Sequence, residues 1–139
     1  MAKLLVAGES IDSESKETTP VRNPATGEVV DSVPKGTVAD IRRAIDVAAN
    51  ALKKWSIMAP SKRGSMLLQA GHLILQQEKE LANLLTREQG KPLRESILEI
   101  RRFVHTMDHY GGMAKSLRTG AVVLDNGRHG LVLRKPLGV

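Results

Sequence analysis

Two histidines at helical spacing come nearest, by residue type and spacing, to a site for chemistry in this chain. His105 and His109 stand four positions apart in a segment with helical periodicity, so their side chains share one face. Paired histidines of this kind contribute to zinc sites when a third ligand lies elsewhere. No glutamate directly follows the first histidine, and the chain has no cysteine. We therefore interpret both as surface or interface residues.

The other motifs that could support catalysis are less specific than the histidine pair. The absence of cysteine excludes a thiolate nucleophile, thiolate metal ligands and disulfides within the chain. Gly64-Ser65 lies in an amphipathic helical pattern and lacks the Gly-x-Ser-x-Gly elbow of hydrolases. Gly111-Gly112 lacks the further glycines and the lysine of phosphate loops, so we attribute it to helix packing. We predict no catalytic, cofactor-binding or metal-binding residue here, and no activity from this chain alone.

The remaining titratable residues predict structural roles. We expect His72 to be packed beside an apolar stripe and His129 to lie in a turn. Glu88 and Lys91 flank a glycine and could form a surface ion pair worth about 0–1 kcal/mol. Three further charged residues share a helix face and predict an ion network: Glu95, Glu99 and Arg102.

Composition predicts one domain with a modest aliphatic core. Of the 139 residues 41% are hydrophobic but only 2% are aromatic. The net charge is +6, and adjacent basic pairs recur along the chain, so the alternative function is a small basic helical module that binds nucleic acid or an acidic partner. Single-strand binding needs aromatic stacking platforms, which are scarce here. We therefore favour solvated charge and expect no nucleic-acid partner.

No segment has the pattern of a membrane span or a secretory signal. No run approaches the ~20 apolar residues that a spanning helix needs. No amino-terminal stretch combines a basic start, an apolar run and a small-residue cleavage site. We expect no membrane partner and a cytoplasmic location.

The first forty residues predict extended structure and turns. Residues 4–7 form a short apolar run, and residues 10–19 are polar and predict a loop. β-Branched residues flank the sequence NPATGE at residues 23–28, where the proline fixes its own φ and the glycine accepts a positive φ. This pattern predicts a hairpin, whose second strand should stop at Pro34 and Gly36.

Four amphipathic helices should follow. For the first, Thr37 is the expected N-cap and Asp40 complements the helix dipole, with Trp55 lying just beyond its end. Ser61 is the expected cap of the second helix. The third should end at Gly90, a residue suited to a left-handed cap, and its boundary with the second stays open.

The fourth helix is predicted to be long. Pro92 suits its first turn, and its apolar stripe extends to Leu117, with Gly120 ending it. Gly111-Gly112 interrupts this stripe. Each glycine destabilises a helix by about 1 kcal/mol relative to alanine, so the pair predicts a bend or a close backbone contact with another element.

A second hairpin is predicted at the carboxyl end. Apolar runs at residues 121–124 and 131–133 flank a loop that contains Asn-Gly, a strong hairpin signal, although this loop is longer than two residues. Four helices and few strands leave the edges of this hairpin uncovered, so we expect a partner there, either from further chain or from another subunit.

Several of these segments resemble the amino-terminal part of the NAD(P)-dependent aldehyde dehydrogenase family, over residues 21–139. NPATGE with its valine-rich strand resembles the family's early hairpin, and residues 40–55 its first helix. The most specific piece is EQGKP at residues 88–92. Gly111-Gly112 departs from the residues usual in the family.

The resemblance implies an α/β fold, represented here by its mainly helical amino-terminal part with an early and a late hairpin. Residues 1–120 would belong to a partial cofactor-binding domain. Residues 121–139 would form the hairpin that joins subunits into a homo-oligomer and would lead into further cofactor-binding strands. The implied enzyme oxidises an aldehyde, such as a semialdehyde, to a carboxylic acid with NAD or NADP. Its catalytic and cofactor-binding residues are expected beyond Val139.

Overall fold

The computed structural model describes residues 2–116 and 120–139. These residues form four α-helices and six short β-strands, and the strands pair two by two into antiparallel hairpins. The elements in chain order are β1 (Leu4–Val6), β2 (Glu9–Ile11), β3 (Thr18–Arg22), β4 (Val29–Pro34), α1 (Val38–Ile57), α2 (Pro60–Gln76), α3 (Glu78–Gln89), α4 (Leu93–Met113), β5 (Gly120–Val123) and β6 (His129–Val132).

The loop predicted over residues 10–19 is wrong at both of its ends, because strands β2 and β3 extend into it. Strands β1 and β2 join through Ala7 and Gly8, whose φ values are 58° and 82°. Positive φ at both central residues is the geometry of a type I′ turn, which matches the twist of the flanking strands. The loop is restricted to residues 12–17. The polar sequence was misleading because β2 and β3 are largely exposed and can carry polar side chains.

The hairpin predicted around NPATGE is confirmed. Strands β3 and β4 pair antiparallel, and β4 ends at Pro34 as expected. The Asn23 N–H donates to the Glu28 carbonyl at 2.9 Å, and the Gly27 N–H donates to the Asn23 carbonyl at 2.8 Å. Gly27 has a φ of 77°, which glycine adopts without steric cost.

Helix α1 begins at the predicted cap. The Thr37 hydroxyl accepts a hydrogen bond from the Asp40 N–H at 3.1 Å, and the Asp40 carboxylate accepts one from the Thr37 N–H at 2.8 Å. This reciprocal capping box satisfies two amides that the helix leaves unpaired. The end of α1 is later than predicted, so Trp55 lies inside the helix, because no helix breaker occurs before Pro60.

The predicted Ser61 cap is wrong. The N-cap of α2 is Ala59, and Pro60 occupies the first helical position, where its missing N–H costs nothing. With the helix already started by proline, Ser61 lies within it, and no side-chain hydrogen bond caps α2. The boundary between α2 and α3 falls at Gln77, whose ψ of 15° marks a break without glycine or proline.

Gly90 ends α3 in the left-handed conformation, with a φ of 69°, as predicted. Helix α4 follows from a cap at Pro92. The prediction that Gly120 ends α4 is wrong, since the helix ends at Met113 and Gly120 begins β5. Leu117, predicted on the α4 stripe, lies outside the described residues.

Helix α4 packs against both α2 and α3, and these three helices hold most of the core. Gly64 of α2 meets Gly111 of α4, where an added Cβ on Gly64 would lie 2.5 Å from the Gly111 carbonyl oxygen. The close backbone contact predicted from Gly111-Gly112 is therefore confirmed at Gly111. Of the described hydrophobic residues, Val6, Ala82 and Val104 are buried. The core is small for the apolar content of the chain.

Candidate functional site

The two motifs that define the resemblance meet in space. Gly90, at the end of α3, lies against the NPATGE turn, and a Cβ on Gly90 would fall 2.9 Å from the Ala25 nitrogen and 2.9 Å from Pro24 Cγ. Nearby, Arg87 Nη2 donates to the Val30 carbonyl at 3.4 Å. Gly90 is thus required both by its φ and by the approach of the early hairpin. No local signal in the sequence predicts this contact.

Polar side chains beside this junction are paired with each other. Lys91 forms an ion pair with Glu99, in place of the predicted partner Glu88. The Thr86 and Ser96 hydroxyls lie 2.8 Å apart, and Ser96 is fully buried. These contacts hold α3 and the first turns of α4 together.

The predicted ion network on α4 takes a different form. Glu99 turns back to Lys91, and Glu95 contacts Arg94 at 3.3 Å, so the described ion pairs do not join either carboxylate to Arg102. An ion pair that the sequence did not reveal instead ties α3 to α4. Arg101 donates to Glu78 through Nε at 2.7 Å and Nη2 at 3.0 Å, and the hydrogen bond lowers the pKa of Glu78.

A second polar cluster surrounds the start of α1. Ser13, which is buried, has its hydroxyl 2.9 Å from the Asp40 carboxylate and 2.6 Å from the Lys35 carbonyl. The Thr37 N–H and the Ser13 hydroxyl lower the pKa of Asp40. A carboxylate with a lowered pKa is a poor proton acceptor near neutral pH, so the geometry fits capping rather than acid–base catalysis.

The histidines do not form a metal centre in the described part of the chain, where no cluster of three potential ligands occurs. His109 contacts Tyr110 edge-on, with ring centroids 5.2 Å apart. His72 is exposed and bonds Gln76 at 3.0 Å, so the prediction that it is packed is wrong. It faces solvent because Gly71, one residue earlier, takes the buried position against α4. His129 begins β6.

The glycine pair of α4 does not form a phosphate cradle. A Cβ on Gly111 would lie 2.9 Å from the Leu68 side chain, so helix α2 already occupies the space beside this backbone. Gly112 has open space around it but belongs to the same helix. These residues do not fit the pyrophosphate of a dinucleotide, which requires amides at a helix N-terminus.

Apolar surface, rather than a reactive cluster, dominates the described residues. Every residue of α1 is described and none is buried, although the helix is strongly amphipathic. A shallow groove of about 480 Å³ runs along its apolar face, formed by residues that include Ala48, Leu52 and Trp55. Gly138 and Val139, at the carboxyl end of the chain, line the other side of this groove. The apolar face of α1 is therefore only partly covered by other residues of the chain.

A second groove, of about 330 Å³, lies where the end of α1 approaches α2 and α4. Trp55 and Tyr110 line it together with Met66 and Leu67, and Arg63 lies at one side. Its lining is almost wholly apolar, so the surface offers few directional contacts to a polar ligand.

The predicted late hairpin is confirmed. Strands β5 and β6 pair antiparallel around a loop in which Asn126 and Gly127 have φ values of 68° and 70°. Among the described strands these two pair only with each other, so each leaves one edge unpaired. Their large apolar side chains are exposed, as Val123 (75%) and Leu131 (67%) illustrate.

The described residues define the class of the fold: four helices and three antiparallel hairpins in an α/β arrangement with exposed apolar faces. The comparisons with known proteins are more specific. The profile of the "Aldehyde dehydrogenase family" matches residues 10–139, so the chain belongs to that family. No helix among the described residues is long and apolar enough to cross a membrane.

Similar proteins agree in sequence and in structure. Glutarate-semialdehyde dehydrogenase of Pseudomonas aeruginosa is 35% identical over 135 residues, which cover 96% of this chain and 28% of that protein. A crystal structure of apo indole-3-acetaldehyde dehydrogenase superposes with a TM-score of 0.91 at 28% identity, covering 99% of this chain and 32% of the other. The structure of betaine aldehyde dehydrogenase from Staphylococcus aureus, solved with NAD⁺, superposes with a TM-score of 0.84 at 27% identity. The match covers 90% of this chain and 25% of that one.

These matches confirm both the family and the partial fold predicted from the sequence. The chain spans between a quarter and a third of the length of the relatives it matches.

Proposed function

We propose that this chain is the amino-terminal part of an NAD(P)-dependent aldehyde dehydrogenase that oxidises an aldehyde to a carboxylic acid. The family match over residues 10–139 carries the proposal. Nothing in the comparisons supports the alternative of a nucleic-acid-binding module.

The role proposed for these residues is to support a reaction centre built from other segments. The chain has no cysteine, and its described polar clusters pair side chains with backbone or with each other. The packing of Gly111 against α2 supports the view that the glycine pair is not a phosphate-binding loop. We propose that NAD or NADP is bound by the whole enzyme, and we expect no cofactor on this chain alone.

A semialdehyde is the substrate class that we propose for the whole enzyme. The support comes from the similarity to glutarate-semialdehyde dehydrogenase, a relative whose name states such a substrate. Cytoplasm is the proposed location, which imaging of a fluorescent fusion would test.

The late hairpin is the proposed contact between subunits of a homo-oligomer. We accordingly propose a division into residues 1–120, part of the cofactor-binding domain, and residues 121–139, the oligomerisation hairpin. The open edges and exposed apolar residues of β5 and β6 support this assignment. Leu131→Lys in the whole enzyme should lower the mass measured by light scattering, and an unchanged mass would contradict the assignment.

Two observations test the proposed enzyme. We expect the coding sequence after Val139 to continue into a Pro-Trp-Asn segment and later a cysteine, and its product to reduce NAD(P)⁺ when given an aldehyde. The 139-residue chain should show no such turnover. A terminator codon directly after Val139 in the native gene, or aldehyde oxidation by the 139-residue chain, would contradict the proposal.

A further inference from the structure

The end of α1 and the start of α2 are joined by a very short connection. Only Met58 and Ala59 separate the two helices, and α2 begins with the rigid ring of Pro60. No side chain of α1, all of whose residues are described, is buried. The direction of α1 therefore depends on contacts at its two ends, the polar cluster around Asp40 and the residues near this connection, more than on a buried helix interface.

Arg63, in the first turn of α2, supplies several of these contacts. Its Nη1 donates to the Met58 carbonyl at 2.8 Å and to the Trp55 carbonyl at 3.1 Å. Both carbonyls lie at the carboxyl end of α1, where the helix dipole favours a cation; the Trp55 carbonyl also accepts the Met58 N–H at 3.2 Å. Arg63, a residue of α2, thus caps the carboxyl end of α1.

The same guanidinium also contacts an aromatic ring. Arg63 Cζ lies 5.9 Å from the centre of the Trp55 ring, within the range of a cation–π interaction. A planar guanidinium can cover a ring and donate to a carbonyl at the same time, which a lysine ammonium does less well. Arg63 therefore holds both the backbone and the side chain of Trp55.

The residue after Arg63 fixes α2 to α4. Gly64 is buried against Gly111 and Ala114, with no room for a Cβ. Consecutive residues of one helical turn thus contact α1 on one side and α4 on the other.

From these contacts we propose that Arg63 is a positioning residue that fixes the end of α1 against the α2–α4 pair. It acts through Trp55 and Met58, and it sets the direction in which α1 presents its apolar groove. The role is independent of the proposed enzyme activity and of what the groove contacts.

Trp55 is the only tryptophan in the chain, so its fluorescence reports this contact directly. In Arg63→Ala the indole loses its cover, and we expect emission at longer wavelength and stronger quenching by acrylamide. Amides of residues 53–58 should exchange faster with deuterium. Lys62→Ala, which removes an exposed positive charge from the same turn, is the matched control and should leave all three readouts unchanged.

Arg63→Lys separates geometry from charge. The lysine retains a donor but not the flat guanidinium, so we expect changes in emission and quenching that are smaller than those of Arg63→Ala. Unchanged emission and quenching in Arg63→Ala with wild-type far-UV circular dichroism would overturn the proposal. If Arg63→Ala does not fold, Arg63→Lys tests the proposal instead. Altered Trp55 emission in the folded Arg63→Lys variant would support the proposal, and wild-type emission would overturn it.

Discussion

Helix α1 and the α2–α4 pair are built from similar amphipathic sequences but bury them to different degrees. In α4, Val104 is only 6% exposed, and Gly111 lies against the backbone of α2. In α1, Val38 is 66% exposed and Ile57 is 85% exposed. Apolar periodicity is thus present in both regions, but only the α2–α4 pair buries residues of its apolar stripe.

The difference indicates two kinds of apolar surface. The α2–α4 contact is a packed interface, in which glycines allow the two helices to approach closely and side chains such as Val104 are buried. The α1 face and the late hairpin instead expose large apolar side chains, and exposed apolar area of this kind is typical of interaction sites. The match to about a quarter of the length of longer relatives is consistent with that interpretation.

The largest effect is expected from the α2–α4 contact. Gly64→Ala would place a methyl group 2.5 Å from the Gly111 carbonyl oxygen. The helices must separate, and we expect a loss of about 2–3 kcal/mol in the free energy of unfolding, measured by urea denaturation. Gly112→Ala, which meets open space, should instead gain up to about 1 kcal/mol from helix propensity. Equal effects of the two substitutions would contradict the packing described here.

One substitution made in both regions sharpens the comparison. Val104→Ala removes two buried methyl groups and should cost about 2 kcal/mol of unfolding free energy. Val38→Ala, on the exposed α1 face, should change it by no more than about 0.5 kcal/mol. A comparable loss at both sites would show that the α1 face is buried in solution.

The capping box of α1 gives a smaller effect. Thr37→Ala removes the hydroxyl that accepts the Asp40 N–H and should cost about 1 kcal/mol. Helicity measured by circular dichroism should fall through fraying of α1. Thr106→Ala, in an exposed position of α4, is the control and should not lower stability, since alanine has the higher helix propensity. An equal response of the two variants would argue against the cap.

The smallest effect concerns pH. Both Asp40 and Glu78 have a lowered pKa in the folded chain, because amide, hydroxyl and guanidinium donors stabilise their charged forms. Their contribution to stability is therefore complete above their ordinary pKa, about 4, and is lost as the pH falls through the folded values. The urea midpoint should drop on acidification, and less so in Asp40→Asn. A midpoint that is unchanged or raised would contradict these assignments.

Local features of the structure were predictable from the sequence. The NPATGE hairpin, the Thr37 cap and the left-handed Gly90 each depend on residues within a few positions of one another. Ser61 failed as a cap because Pro60 starts the helix first, and the end of α4 was misplaced because glycine at position 120 begins a strand instead.

Contacts between distant residues were not predictable in the same way. The approach of Gly90 to Pro24, the bidentate pair of Arg101 with Glu78 and the contact of Arg63 with Trp55 join separate elements. A single sequence gives periodicity along each element but does not state which faces meet. The same reason explains why the α1 stripe was recognised while its exposure was not.

Native-state hydrogen exchange of the 139-residue chain tests the contrast between the two regions most directly. We expect slow amides in α2, α3 and α4, and faster exchange in α1 and in the β5–β6 hairpin, whose large apolar side chains are exposed. Protection of α1 equal to that of α4 would contradict the account, because it would show that the α1 face is already part of a finished core.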